Sequence, residues 1–214
     1  MGIISEIRDS ISRTISRIFE DEENAKIGIY GPPNAGKTTL ANRISRDWGD
    51  DAMGAESQIP HETREATRKK DITIEHDGRS VTLDIVDTPG VATKVEYEEF
   101  VDYGLDEDLA RERAREATQG VTEAIHWLKE DLDGVLYVLD STQDPYKAVN
   151  SMLNGIIQER SLPVVVVANK IDLEDASPNR IEEMFRQHET VRISGLEGNN
   201  IDNLYETIAE EFGG

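Results

Sequence analysis

Cysteine is absent from the 214 residues, which excludes disulfides, thiolate metal sites and a cysteine nucleophile. Histidine is scarce and scattered: His61, His76, His126 and His188 stand singly, so the sequence shows no metal-ligating cluster. No stretch approaches the eighteen or so apolar residues that a bilayer-spanning helix needs, and charges from Glu6 onward exclude a signal-peptide core. Glu6 also stands where a myristoylation motif on Gly2 requires Ser or Thr. The chain is therefore expected to be cytoplasmic. Basic residues are few as well, 23 against 44 acidic for a net charge of −21. Such a field repels nucleic acid and anionic membranes at low salt, and no basic aromatic platform for RNA is present. At molar salt the Debye length falls to about 3 Å, so self-repulsion is screened while the carboxylates keep the surface hydrated. The composition reads as that of a salt-adapted organism.

What is present is more specific. Gly31-Pro32-Pro33-Asn34-Ala35-Gly36-Lys37-Thr38, followed by Thr39, is a complete G-x-x-x-x-G-K-[ST] phosphate loop directly after the apolar stretch Ile27-Gly28-Ile29-Tyr30. Its glycines permit the φ > 0 turns that aim successive N–H groups inward. The helix that follows adds its positive N-terminal end, Lys37 can reach the β- and γ-phosphates, and the Thr38 hydroxyl can ligate Mg²⁺. Asn169-Lys170-Ile171-Asp172 ends the run from Pro163 to Ala168, which reads as a buried parallel strand. A carboxylate at Asp172 can accept two hydrogen bonds from guanine N1–H and N2–H₂, a donor pair that adenine lacks, so GTP is the nucleotide expected. Asp87-Thr88-Pro89-Gly90 ends a further apolar strand. Asp87 could hold Mg²⁺ through water and the Gly90 N–H could touch the γ-phosphate. Ser194-Gly195-Leu196 would supply a backbone N–H to guanine O6.

The periodicity predicts strands near 26–30, 71–76, 80–86, 134–140, 163–168 and 191–194. Helices are expected near 38–48, 107–132, 145–159, 179–188 and 200–212. Alternation with right-handed crossovers gives an α/β, three-layer domain over residues 25–214: a six-stranded, mostly parallel sheet with phosphate chemistry at the strand carboxyl ends. Asp77-Gly78 reads as a hairpin turn that makes the second strand the antiparallel edge. Residues 1–20 form a separate element. Ile3, Ile4, Ile7, Ile11, Ile15, Ile18 and Phe19 recur at helical spacing opposite a polar face, an N-terminal amphipathic helix. Its apolar face needs a cover. A membrane interface, a second copy through the short seam Ile4, Ile11 and Ile18, and docking on its own domain are the three candidates.

The order phosphate loop, D-x-x-G, N-K-x-D and S-x-L over residues 25–196 resembles the Ras-like GTPases, and within them the Era and TrmE group, whose phosphate loop G-x-P-N-x-G-K-S is matched through Pro33 and Asn34. The resemblance implies a Ras-like G domain that hydrolyses GTP to GDP with Mg²⁺. It places a magnesium-binding switch threonine in a T-R pair about twenty residues before the D-x-x-G aspartate. Thr67-Arg68 fits this spacing, with Thr63-Arg64 as the alternative. Ras orients its water with a glutamine where this chain has Val91, so intrinsic hydrolysis is expected to be slow. In the Era and TrmE group a K⁺ ion held by the phosphate-loop asparagine can replace an arginine finger, which makes Asn34 the expected K⁺ ligand. Catalytic roles are thereby expected for Lys37, Asn34, Thr67 and Gly90. Era also carries a KH RNA-binding domain after its GTPase domain, whereas this chain ends at Gly214 after its last helix, so no direct contact with nucleic acid is expected.

Between Gly90 and Gly134 the chain is longer than a minimal switch requires. Thr93 to Asp108 is acidic and reads as mobile, and Leu109, Ala110, Ala114, Ala117, Val121, Ala124, Ile125 and Leu128 then trace a helical stripe. The switch segment 91–133 is the expected surface for an effector protein, and a nucleotide-dependent dimer is compatible with the pattern. Three functions follow. The leading one is a GTPase switch, peripheral on the inner face of the cell membrane through residues 1–20 and acting in vesicle formation or membrane remodelling. The others are a ribosome-assembly GTPase and a GTP-binding scaffold with negligible turnover.

Overall fold

A computed structural model describes residues 25–48, 67–76, 79–88, 90–91, 95–130 and 132–212. The amphipathic segment 1–20, the Asp77-Gly78 turn and Thr63 lie outside the described residues. The strands are β1 (Ala25–Tyr30), β2 (Thr67–His76), β3 (Arg79–Asp87), β4 (Gly134–Asp140), β5 (Val164–Asn169) and β6 (Glu189–Arg192). Among the described residues the helices are α1 (Lys37–Trp48), α2 (Tyr97–Asp102), α3 (Glu107–Glu130), α4 (Ala148–Arg160), α5 (Pro178–Met184) and α6 (Ile201–Phe212).

The six strands form one sheet in the order β2-β3-β1-β4-β5-β6. Every pair is parallel except β2 with β3 at the edge. The run Val164 to Asn169 is buried at every position, as a parallel strand covered on both faces must be. Alternate residues serve opposite faces. Ile27, Ile29, Leu83, Ile85, Leu136, Val138, Val165 and Val167 pack against Leu40, Ala41 and Ile44 of α1 and Leu204, Tyr205 and Ile208 of α6. Tyr30, Val86, Val135, Tyr137, Leu139, Val164, Val166 and Ala168 pack against α3, α4 and α5 through Ala124, Leu128, Leu153, Ile157, Ile181 and Phe185. The result is the expected three-layer α/β architecture with an antiparallel edge strand.

The differences from expectation have physical reasons. β2 begins at Thr67, because Thr67-Arg68-Lys69 pairs with β3 before a register shift between Lys69 and Ile72; that polar stretch carries no apolar alternation. Within the acidic segment expected to be mobile, with no helix expected before residue 107, Tyr97–Asp102 is helical. Phe100 is buried there against Ala110, Ala114 and Ala117 of α3, with Val95, Tyr97 and Leu105 around it. The Arg111 guanidinium lies 3.9 Å from the Tyr97 ring centroid and pairs with Glu107. Leu109, expected in the apolar stripe, is 40% exposed. α5 ends at Met184, four residues early, where His188 N–H bonds the Phe185 carbonyl in a turn.

Candidate nucleotide site

Parallel pairing brings four strand ends to one edge. Ile29 is level with Asp87, Tyr30 with Tyr137, and Asp140 with Asn169. The chain therefore delivers Gly31, Asp87, Asp140 and Asn169 to the carboxyl ends of adjacent strands, where open α/β sheets bind ligands. The turn Gly31 to Gly36 has the backbone its motif requires, with φ of 148° at Gly31, 59° at Asn34 and 92° at Gly36. A Cβ on Gly31 would collide with the Val138 carbonyl oxygen, and one on Gly36 with the Asn169 side chain. Pro32 and Pro33 form the outer part of the turn, Ala35 is buried and Asn34 is exposed at its crest. α1 starts at Lys37, with Thr38 and Thr39 in its first turn.

Lys37 folds back over this loop, its Nζ 2.9 Å from the Pro32 carbonyl oxygen. Burial lowers its pKa from the ordinary lysine value to about 8, and the Asp87 carboxylate opposes that shift. A buried ammonium compensated only in part is poised for an anion. The Thr38 hydroxyl donates to Asp87 Oδ2 at 2.8 Å. Asp87 Oδ1 is buried without a hydrogen-bond partner. Burial raises the Asp87 pKa, while Thr38 and Lys37 pull it down. A hydroxyl beside a carboxylate whose second oxygen has no partner fits Mg²⁺ held by Thr38 directly and by Asp87 through water. Among the described residues no group of three or more His, Asp or Glu could hold a metal, so Thr38 and Asp87 alone do not complete a metal site. Gly90 sits against the loop closely enough that a Cβ would lie 2.9 Å from Pro33 Cα. The buried Val91 donates its N–H to the Gly31 carbonyl at 3.1 Å. Thr67, the expected switch threonine, has its backbone level with Asp87 at the start of β2.

The second half of the site is tied to the first through Asn169. Its Nδ2 donates to the Ala35 carbonyl at 2.8 Å, and its Oδ1 accepts the Gly195 N–H at 2.9 Å. Lys170 takes a left-handed φ of 65° and pairs with Asp140 Oδ2 at 2.7 Å. Asp140 also accepts from the Thr142 N–H and hydroxyl. Ile171 N–H bonds the Ile193 carbonyl, which leaves Asp172 exposed beside the loop that begins at Ser194. Ser194 is buried and its Oγ accepts from the Glu197 N–H; Leu196 is 68% exposed. The structure thus gathers the phosphate-loop, D-x-x-G, N-K-x-D and S-x-L residues at one edge. Sequence reasoning missed Asp140, although its place at a parallel strand end marks it, and Arg43, whose partners lie more than 150 residues away.

Residues 26–170 match the family model described as "50S ribosome-binding GTPase". GTPase Era of Aquifex aeolicus is 28% identical over 189 residues, covering 85% of this chain and 54% of that protein. Among solved structures, an Aquifex aeolicus Era variant bound to GDP·AlF4⁻ superposes with a TM-score of 0.67 at 24% identity, over 89% of this chain and 57% of the other. Era in complex with MgGDPNP and a segment of 16S ribosomal RNA gives 0.64 at 24% identity, over 88% and 57%. At that identity the likeness to the solved structures is one of fold. The chain spans about half the length of these relatives. The family model covers most of the chain, and the phosphate-loop, D-x-x-G, N-K-x-D and S-x-L residues stand together at one sheet edge: the chain belongs to the 50S ribosome-binding GTPase family, as an Era-like P-loop GTPase.

Proposed function

We propose that this protein hydrolyses GTP to GDP and phosphate with Mg²⁺ and works as a molecular switch. The observation that carries the reading is the Asn169 bridge, which joins the phosphate loop at Ala35 to the guanine loop at Gly195, so base and phosphates are read by one connected frame. Phosphoryl transfer needs positioning and charge neutralisation rather than covalent chemistry. Lys37 neutralises phosphate charge, the loop N–H groups position it, Thr38, Asp87 and Thr67 serve Mg²⁺, and the Gly90 N–H senses the γ-phosphate. Val91 is fully buried and has no group that orients water, so intrinsic turnover is slow. Asn34, exposed at the crest of the loop, is the candidate ligand for a stimulating K⁺. The decisive assay is phosphate release with Mg²⁺ in 2 M KCl or NaCl. Stimulation by K⁺ over Na⁺ that disappears in Asn34→Ala supports this mechanism, and an equal response in both proteins overturns the K⁺ role. Absence of turnover under every condition turns the reading into that of a GTP-binding scaffold.

The setting rests on the sequence. The amphipathic segment 1–20 supports a cytoplasmic protein that is peripheral on the membrane, and the acidic composition supports function in high salt. Among the described residues no helix is long and apolar enough to cross a membrane. The family description and the RNA-bound Era structure favour a second reading, a GTPase that acts on the ribosome. The exposed Val101, Tyr103 and Leu109 support the segment 91–133 as the effector surface. Liposome flotation with and without residues 1–20 tests the membrane reading. Co-sedimentation with ribosomes in the presence of a GTP analogue tests the other.

A further inference from the structure

We propose that Arg43 is a positioning residue for guanine recognition, clamping the Ser194 to Gly198 loop so that the Leu196 N–H faces guanine O6. The inference rests on the GTP reading above and deepens it. Arg43 lies on α1, in the second turn after Lys37. Its Nε donates to the Gly195 carbonyl at 2.6 Å and one terminal guanidinium nitrogen donates to the Leu196 carbonyl at 2.7 Å. Charge-assisted bonds from a rigid planar fork to two successive carbonyls are strong and directional.

Peptide planarity turns this grip into orientation. In a trans peptide the N–H points opposite to the C=O of the same unit, so holding the Gly195 carbonyl aims the Leu196 N–H away from α1. The units on either side are held too. Gly195 N–H is bound by Asn169, and the unit joining Leu196 to Glu197 is fixed by Arg43 at its carbonyl and by Ser194 Oγ at its N–H. Gly198 closes the loop, donating its N–H to the Ser194 carbonyl at 2.8 Å. It has a left-handed φ of 83°, and a Cβ there would lie 3.1 Å from the Arg43 guanidinium. The loop therefore wraps the guanidinium. Without Arg43 the peptide unit joining Gly195 to Leu196 is held through its neighbours, by Asn169 at the Gly195 N–H and by Ser194 Oγ at the Glu197 N–H, and the glycine backbone lets it turn between them.

The test compares GTP with two analogues, by competitive displacement in KCl with Mg²⁺. The analogue 6-thio-GTP keeps the N1–H and N2–H₂ that Asp172 would bind but replaces O6 with a larger, weaker acceptor; ITP keeps O6 and lacks the 2-amino group. Arg43→Ala is expected to weaken GTP about tenfold, equivalent to about 1.4 kcal/mol. It should weaken 6-thio-GTP by less than about twofold and leave the GTP-to-ITP ratio within about twofold of the parent, with Arg43→Lys intermediate because a single ammonium nitrogen replaces two guanidinium nitrogens held in a planar fork. Equal weakening of GTP and 6-thio-GTP, or no weakening of either, overturns the proposal. If Arg43→Ala fails to fold, Arg43→Lys is judged by the same ratios. A parent protein with no preference for guanine nucleotides overturns the underlying GTP reading instead, so the two failures are distinct.

Discussion

Asn169→Ala should loosen both halves of the site at once. Asn169 is 3% exposed, and its amide makes two bonds, one to the Ala35 carbonyl at 2.8 Å and one from the Gly195 N–H at 2.9 Å. Alanine leaves a buried carbonyl and a buried N–H without partners, each costing about 1 to 3 kcal/mol. The sum is about 2 to 6 kcal/mol, in a protein whose whole stability is about 5 to 15 kcal/mol. At about 4 kcal/mol the melting temperature of a domain of this size falls by about 8 to 16 °C. The measurement is denaturant unfolding of nucleotide-free protein, followed by GTP affinity on the folded fraction. Asn169→Asp separates the two bonds. It keeps the acceptor for Gly195 but sets a carboxylate oxygen against the Ala35 carbonyl, so its folded-state pKa rises above the unfolded value. Between those two values the folded state holds more protons, so this variant should gain stability relative to the parent as pH falls through the raised pKa. A loss below about 1 kcal/mol for Asn169→Ala would refute the bridge as the connection between the loops.

Three further outcomes follow from the same geometry. The Lys37 pKa of about 8 lies below its unfolded value, so the free protein gains stability as pH rises from about 8 to about 10.5. Triphosphate binding favours the ammonium, so GTP binding should take up a proton near pH 8 to 9 and weaken about tenfold per pH unit above 8; calorimetry in buffers of different ionisation enthalpy reads this, and the absence of proton uptake would count against it. Asp87→Asn removes the carboxylate beside Thr38 and should weaken Mg²⁺ about 10- to 100-fold, read as loss of the difference in GTP affinity between magnesium and chelator. Tyr137→Phe is the control in the core. It removes the 2.8 Å bond to Asn150 while the ring keeps its edge contact with Phe185, so stability should fall by about 1 to 2 kcal/mol with GTP affinity unchanged.

The strands and the site motifs were legible because each depends on residues close in sequence. Apolar runs such as Val164 to Ala168 encode burial on both faces, and the phosphate-loop motif itself spells out Gly31 and Gly36 at positive φ, although what a side chain there would strike, Val138 and Asn169, lies far along the chain. What stayed hidden depends on distant partners. Tyr97–Asp102 has one buried side chain and an acidic first turn, so only its packing on Ala110, Ala114 and Ala117 accounts for the helix. The first residues of β2 are polar and ordered by pairing with β3. Arg43 reads locally as one more arginine on an exposed helix flank, since its two acceptors are backbone carbonyls that carry no residue identity at all.

These contacts divide the described residues into a heavily packed frame and a more lightly packed segment. The frame is the sheet with α1 and α6 on one face and α4 and α5 on the other, and the nucleotide loops are bonded to it and to each other through Asn169, Arg43 and Lys170. The D-x-x-G end of β3 belongs to the frame as far as Val91, which is buried in the sheet cluster and bonded to Gly31. Beyond it, α2 and the first half of α3 share a small cluster of their own, one phenylalanine and three alanines at its centre. The second half of α3 is anchored to the sheet by Ala124 and Leu128. Buried apolar area sets the cost of separation at about 25 cal/mol per Å², and a cluster built on alanines buries far less than the isoleucines and valines beneath the nucleotide. Separating the described residues from Val95 to the middle of α3 from the sheet therefore costs least, and the proposed switch would use that segment. That segment carries the exposed Val101, Tyr103 and Leu109, so the surface proposed for an effector coincides with the part of the described fold that is least heavily packed.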